Sequence, residues 1–281
     1  MIIASLHATC RLPVRYLLLL VLTLAAAVIS SRPADAAELQ VRTNRAYDAY
    51  VARAKEAFLS RTKRPRAPAK PAASSTDLVI DARPANEDGI LNVPCGLVHH
   101  WLGSAFIAGV SLREAVDVSR AYAEYAGVYS SIIASKLLEH DGDTYRVLLR
   151  LKEGEAGVSA VLQLRSTVEY FADHPGTVYT ISDADEIREV RKVGRPDERL
   201  LPAGRDSGYL WRASTFSRLV EERGGVYVET ETLGLSRQFP PLLGWIIEPI
   251  ARRLGRKSVE LSLREFAAAV RATHVQPERK P

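Results

Sequence analysis

Between Ile132 and Arg237 the chain alternates apolar and polar residues in segments that turn back on one another, which commits it to an antiparallel sheet. Ile132–Glu139 and Thr144–Glu153 flank His140-Asp141-Gly142-Asp143, and Asp-Gly tolerates the positive φ of a tight hairpin turn. In the second segment Tyr145, Val147, Leu149 and Leu151 alternate with Arg146, Leu148, Arg150 and Lys152, so one face is buried and the other largely wet. Val158–Ala172 repeats the alternation and Thr177–Val190 shows it more weakly. Residues 191–206 are charged and broken by Pro and Gly, the composition of an exposed loop. Gly208–Glu221 and Val226–Arg237 then form a further hairpin across Glu222-Arg223-Gly224-Gly225.

Helices flank this block. Leu97–Ile107 reads as a strand, and Ser111 then caps a helix to about Tyr122 with Glu114 in the capping-box position. A second short helix fits Ala123–Tyr129. After Pro240-Pro241 the spacing becomes helical over Leu242–Leu254 and Lys257–Thr273, with Gly255 placed to kink or split the two. The fold expected is α+β: a curved antiparallel sheet of about seven strands, two short helices after the first, and a long C-terminal helix over the concave face. In this element order, and in RDSGYLWRASTFSRLVEERGGVYVETETLGLSRQFP and LLGWIIEPIARR, the chain resembles the START-like (SRPBCC) superfamily with its helix-grip fold. The likeness covers about residues 90–272 and is nearest to exported bacterial members of unassigned activity. It implies a ligand cup between sheet and helix. Topology carries it rather than a catalytic signature, so it bears on fold more than on chemistry.

The N-terminus has a separate character. Arg11 and Arg15 precede the apolar run Tyr16–Ile29, and Ala34-Asp35-Ala36 offers the small residues a signal peptidase reads. Residues 1–36 are therefore expected to be a secretory signal cleaved near Ala36, with a retained anchor as the alternative. The mature protein would act in the periplasm or outside the cell. Residues 37–60 contain an amphipathic helix with Tyr47, Tyr50, Val51, Ala54 and Phe58 on one face and Asn44 as a candidate N-cap. Residues 61–76 alternate Pro with Ala, Arg and Lys, a semi-rigid linker, and residues 77–281 supply the helix-grip domain. Net charge is +6 over 37–76 and −3 over 77–281, so the basic character belongs to the arm. The arm could meet a membrane or a protein. With export, that split argues against a nucleic-acid partner.

Searches for chemistry find no phosphate loop, no Cys/His metal cluster and no nucleophile elbow, and neither metal nor cofactor is expected. Cys95 is alone in the mature chain and reads as a buried small apolar residue. His99 and His100, adjacent on a strand, point to opposite faces and cannot chelate together. One of them, with Trp101, would line the cup. Tyr209, Trp211, Ala213, Thr215 and Ser217 share a face suited to a cavity wall, whereas Glu229 and Glu231 share a face with Tyr227 and look solvated, paired with Arg212 or Arg218. The expected function is binding of a lipid or other hydrophobic small molecule. Its candidate contacts are His99, Trp101, Val147, Leu149, Leu162, Leu164, Tyr170, Tyr209, Trp211, Thr215, Ile246 and Ile250. A cyclase, dehydratase or hydrolase using the same cup is the alternative, and would need His99 or His100, Tyr170 or Glu229 inside it. A third reading is an interaction module working through the basic arm.

Overall fold

The computed structural model describes residues 37–63, 80–84, 89–155, 158–238 and 244–275. Side chains of 80–84 and 244–253 are outside that description, as are residues 1–36 and most of the 61–76 linker. No described helix is long and apolar enough to cross a membrane.

In chain order the elements are β1 (Ala37–Glu38), α1 (Val41–Thr62), β2 (Ile80–Pro84), β3 (Ile90–Val93), β4 (Gly96–Ala108), α2 (Leu112–Arg120), a 3-10 turn (Tyr122–Glu124) and α3 (Tyr125–Val128). They continue with β5 (Ile132–Asp141), β6 (Thr144–Glu155), β7 (Val158–His174), β8 (Thr177–Arg191), β9 (Arg199–Leu200), β10 (Arg205–Asp206), β11 (Arg212–Glu222), β12 (Gly225–Arg237) and α4 (Gly244–Val275). One antiparallel sheet runs β2-β4-β12-β11-β8-β7-β6-β5, with β3 also on β4 and β9 on β8, so among the described residues it holds ten strands where about seven were expected, and β1 and β10 pair separately. The additional strands, β2, β3 and β9, are too short to show an alternation. Hairpin connection explains why the sequence pattern was legible: β5 to β8 are neighbours in sequence order. Gly142 takes φ +56 in the first turn, as Asp-Gly required.

α4 crosses one face of this sheet, the inner face. Its Val259, Leu263, Phe266, Ala267 and Val270 pack with Trp101, Ala105 and Ile107 of β4, Val226 and Val228 of β12, and Ala115, Val116 and Val118 around α2. Two glycines set the helix down. A Cβ on Gly103 would stand 2.3 Å from Val259 Cγ1, and one on Gly255 would stand 2.3 Å from Trp101 Nε1. Gly255 does not split the helix, which is continuous; its missing side chain makes room for the indole. The capping box of α2 is present: Ser111 N–H donates to Glu114 Oε2 (2.7 Å) and Glu114 N–H to Ser111 Oγ (3.3 Å).

α1 packs on the outer face of the same sheet. Tyr47, Ala54 and Phe58 bury against Val98, Tyr179, Ile181, Phe216, Leu233 and Leu235. Its N-cap is Gln40 and not Asn44, whose Oδ1 instead accepts from Arg212 Nη1. Cys95 is also placed differently from the expectation. It is half-buried in the β3–β4 turn at φ +57, and Arg42 Nη2 donates to its Sγ over 2.9 Å.

Candidate functional site: the inner face beneath the C-terminal helix

Strand register assigns each side chain to a face, because directly paired residues in an antiparallel ladder share one. One inner row reads Gly103, Thr230, Ser217, Thr180, Tyr170 across β4, β12, β11, β8 and β7. The adjacent row reads Trp101, Thr232, Thr215, Ser182, Val168 and then Tyr145 on β6. Thr180, Ser182, Thr215, Ser217, Thr230 and Thr232 thus form a contiguous hydroxyl floor in the middle of the sheet. All six keep partial solvent access, whereas Ala105, Val228 and Leu219 in the next row along are sealed beneath α4 and α2.

Apolar groups ring this floor. On one side stand Val147, Val168, Tyr145, Tyr170 and Tyr122, with Leu149 against them. On another stand Leu162, Leu164, Ala184 and Ile187, packed by Tyr209, Leu210 and Ala213. A cleft of about 210 Å³ opens between α4 and the end of β6, lined by Ser131, Lys152, Glu153, Leu254, Ser258 and Leu261 among others. Burial there raises the Glu153 carboxyl pKa. A larger cavity, about 470 Å³, lies at the N-terminal end of α1, lined by Asn44, Asp183, Ile187, Trp211 and Arg212 among others. Its charged groups have protein partners: Arg205 pairs with Glu38 (2.8 Å) and Arg212 with Asp48 (3.1 Å), while Asp183 accepts from Ser214 (2.6 Å) and Asp185 from Thr167 (2.8 Å).

The candidate residues divide accordingly. His99, Trp101, Val147, Leu149, Leu162, Leu164, Tyr170 and Thr215 all belong to the inner face, and Tyr209 packs at its margin. Trp211 does not join them. It precedes β11, where strand alternation no longer applies, and it packs with the α1 cluster while its Nε1 donates to Asp206 Oδ1 (3.1 Å). Ile246 and Ile250 lie on α4, but their side chains are outside the described ones. Thr180, Ser182, Thr230 and Thr232 were not picked out from sequence. The signal was present in the two-residue turn at Arg223-Gly224, which alone sets Thr230 opposite Ser217.

The polar residues an enzyme would need fare unevenly. His99 is inner; its Nε2 meets Ser236 Oγ at 2.8 Å, and burial pushes its pKa down to about 4, leaving a neutral imidazole. Tyr170 is inner but committed: its hydroxyl donates to Ser119 O (2.7 Å) and receives Tyr122 OH (2.8 Å), and burial raises both phenol pKa values. His100 and Glu229 are on the outer face. There Glu231 Oε1 accepts from His100 Nε2 (2.7 Å), Tyr50 OH contacts His100 Nδ1 (2.9 Å), and Arg61 bridges Glu231 and Glu229. Arg218 donates to Glu229 Oε2 (3.1 Å) and to Arg61 O at the end of α1 (2.9 Å), and Tyr227 OH also donates to Glu229 (3.1 Å). The two carboxylates expected on a solvated face are buried beneath α1 instead. No group of three or more His, Cys, Asp or Glu among the described residues is arranged to hold a metal ion.

No protein-family model matches the chain, and no curated protein matches it in sequence. Solved structures do match. A STAR-related lipid transfer protein from Xanthomonas axonopodis is 16% identical, with a TM-score of 0.48 over 71% of this chain and 97% of that one. Human StAR-related lipid transfer protein 5 is 14% identical, with a TM-score of 0.48 over 81% of this chain and 100% of that one. Zhui aromatase/cyclase from a Streptomyces species is 10% identical, with a TM-score of 0.42 over 64% of this chain and 96% of that one. The architecture itself is the one the sequence led us to expect, a continuous antiparallel sheet with a long C-terminal helix laid across one face.

Proposed function

We propose that the protein binds a lipid or other largely apolar small molecule between the inner face and α4, and that it does so outside the cytoplasm after losing its N-terminal segment. One observation carries the binding: six hydroxyl-bearing residues in the middle of the sheet stay partly open to solvent although a 32-residue helix crosses their face. In a collapsed core those positions would be apolar and sealed, as they are one row away. An apolar wall with a few polar anchors is the usual make-up of a small-molecule site. Binding fits the inner face better than turnover does, because His100 and Glu229 are on the other side of the sheet and Tyr170 is held by Ser119 and Tyr122.

The test is native mass spectrometry of the protein purified from its own host, followed by denaturing extraction and identification of any adduct. A defined apolar adduct is expected on a chain whose mass begins near Ala37. A chain without adduct that also takes up no hydrophobic probe would refute the binding. An intact N-terminus would refute the cleavage, and recovery of the protein in the cytoplasmic fraction would refute the export.

A further inference from the structure

The hydroxyl floor carries information about what is bound, given the binding just proposed. Thr180, Ser182, Thr215 and Thr232 make no side-chain hydrogen bond among the described residues; only Ser217 and Thr230 are joined, at 3.1 Å. Beside them in register, directly opposite Thr232, stands Trp101, which is 5% exposed and whose Nε1 has no acceptor among the described residues. Hydroxyls without a protein partner take one from water or from a bound molecule, and a ligand that leaves them dry does so at a cost. The two rows also hold no charged side chain: they run from Gly103 to Tyr170 and from Trp101 to Tyr145. The charges nearest these rows on β11 and β12, Arg218, Glu229 and Glu231, are on the outer face, where Arg61 completes their pairing. On the inner side Glu153 and Glu189, farther along β6 and β8, are acidic and offer an anion nothing. A phosphate or carboxylate laid on the floor would lose its water and gain no counter-charge. A plain hydrocarbon would strip water from four hydroxyls and return nothing.

We infer that the molecule held under α4 is uncharged and carries hydroxyl, carbonyl or ether oxygens along one edge. Those oxygens lie on Thr180, Ser182, Thr215 and Thr232. The hydrocarbon edge lies against Val147, Leu149, Leu162 and Leu164.

The experiment uses the full chain and three fluorescent probes of similar size. Nile red is neutral and bears carbonyl and ether oxygens, anilinonaphthalene sulfonate is anionic, and diphenylhexatriene has no heteroatom. Each is titrated against the parent and against the Thr215→Val, Thr232→Val double variant, which keeps side-chain shape and removes two hydroxyls. Circular dichroism checks that the variant is folded. Nile red should bind the parent at least tenfold more tightly than the sulfonate, and the double variant should weaken Nile red about tenfold while leaving diphenylhexatriene unchanged or tighter. Sulfonate binding as tight as Nile red, or equal loss of all probes in the variant, would overturn the inference while leaving the cup as a binding site. Failure of all three probes to bind would overturn the cup as well.

Discussion

Gly255 provides a test in which two well-characterised effects oppose each other. It sits inside a continuous helix, where replacing Gly by Ala ordinarily stabilises by about 1 kcal/mol through backbone entropy. Here the added methyl would lie 2.3 Å from Trp101 Nε1, 2.7 Å from Cε2 and 2.9 Å from Cδ1. All three atoms belong to one rigid, buried ring, so relief requires moving the indole or lifting α4. Lifting the helix would also pull Val259 and Leu263 from their seat over Gly103. Overpacking of this kind costs about 1 to 3 kcal/mol, and taking about 2 leaves Gly255→Ala destabilised by about 1 kcal/mol. For a domain of this size that lowers Tm by about 2 to 4 °C. In a Trp101→Leu background the obstruction is gone and the same change should stabilise by about 1 kcal/mol, a coupling of about 2 kcal/mol. Urea unfolding of the parent, the two single variants and the double variant measures it. A Gly255→Ala protein more stable than its parent, with Trp101 in place, would refute this account of how α4 is seated.

The other predictions concern charge, protonation and capping. Arg218→Met should cost about 3 kcal/mol in urea unfolding, because it leaves Glu229 buried without its guanidinium partner, and adding Glu229→Gln should recover part of the loss. A penalty below about 1 kcal/mol would mean that the pair is effectively hydrated. His99 has a folded pKa of about 4 against about 6.5 unfolded, so between these values the unfolded chain takes up a proton that the folded one refuses. Stability from this group is therefore complete above about pH 6.5 and falls as pH drops toward 4, by at most about 3 kcal/mol for a residue that is only partly buried. The difference between the pH–stability curves of parent and His99→Asn isolates it, and parallel curves would contradict the assignment. Ser111→Ala should cost about 1 kcal/mol by removing the α2 capping box, and no change in Tm would deny the cap its role.

Most of the sheet was readable because its register is local. Hairpins tie β5 to β6, β6 to β7, β7 to β8 and β11 to β12, and in each pair alternation shows which residues share a face. What alternation withholds is which face is which. Tyr227, Glu229 and Glu231 were correctly grouped, but whether their side was wet depended on α1, and α1 reaches them from well over a hundred residues away in sequence. A helix rich in Arg beside a basic linker looks like an arm until its Tyr47 and Phe58 are seen against Phe216 and Leu233. Trp211 was misplaced for the opposite reason: the rule was applied one residue beyond the strand that licenses it. Thr180 and Ser182 were passed over because a Ser/Thr-bearing strand has no strong apolar face, and that weakness was itself the mark of the floor.

The two faces of the sheet are energetically linked. Hydroxyls in the middle of the inner face forgo apolar burial where a domain of this kind would normally gather most of it. The outer face supplies that burial: Tyr47, Phe58 and Phe216 are fully sealed, and Leu233 and Leu235 nearly or wholly so. The charge network at the end of α1 then fixes where the helix sits. Arg61 reaches both carboxylates of β12, and Arg218 holds the carbonyl of Arg61 itself. A buried network of that sort is poor value as stability but well suited to setting a single register of helix on sheet. With its back held in this way, the sheet can forgo apolar burial at its centre on the other side, and on this view α1 is the wall against which the proposed cup is built.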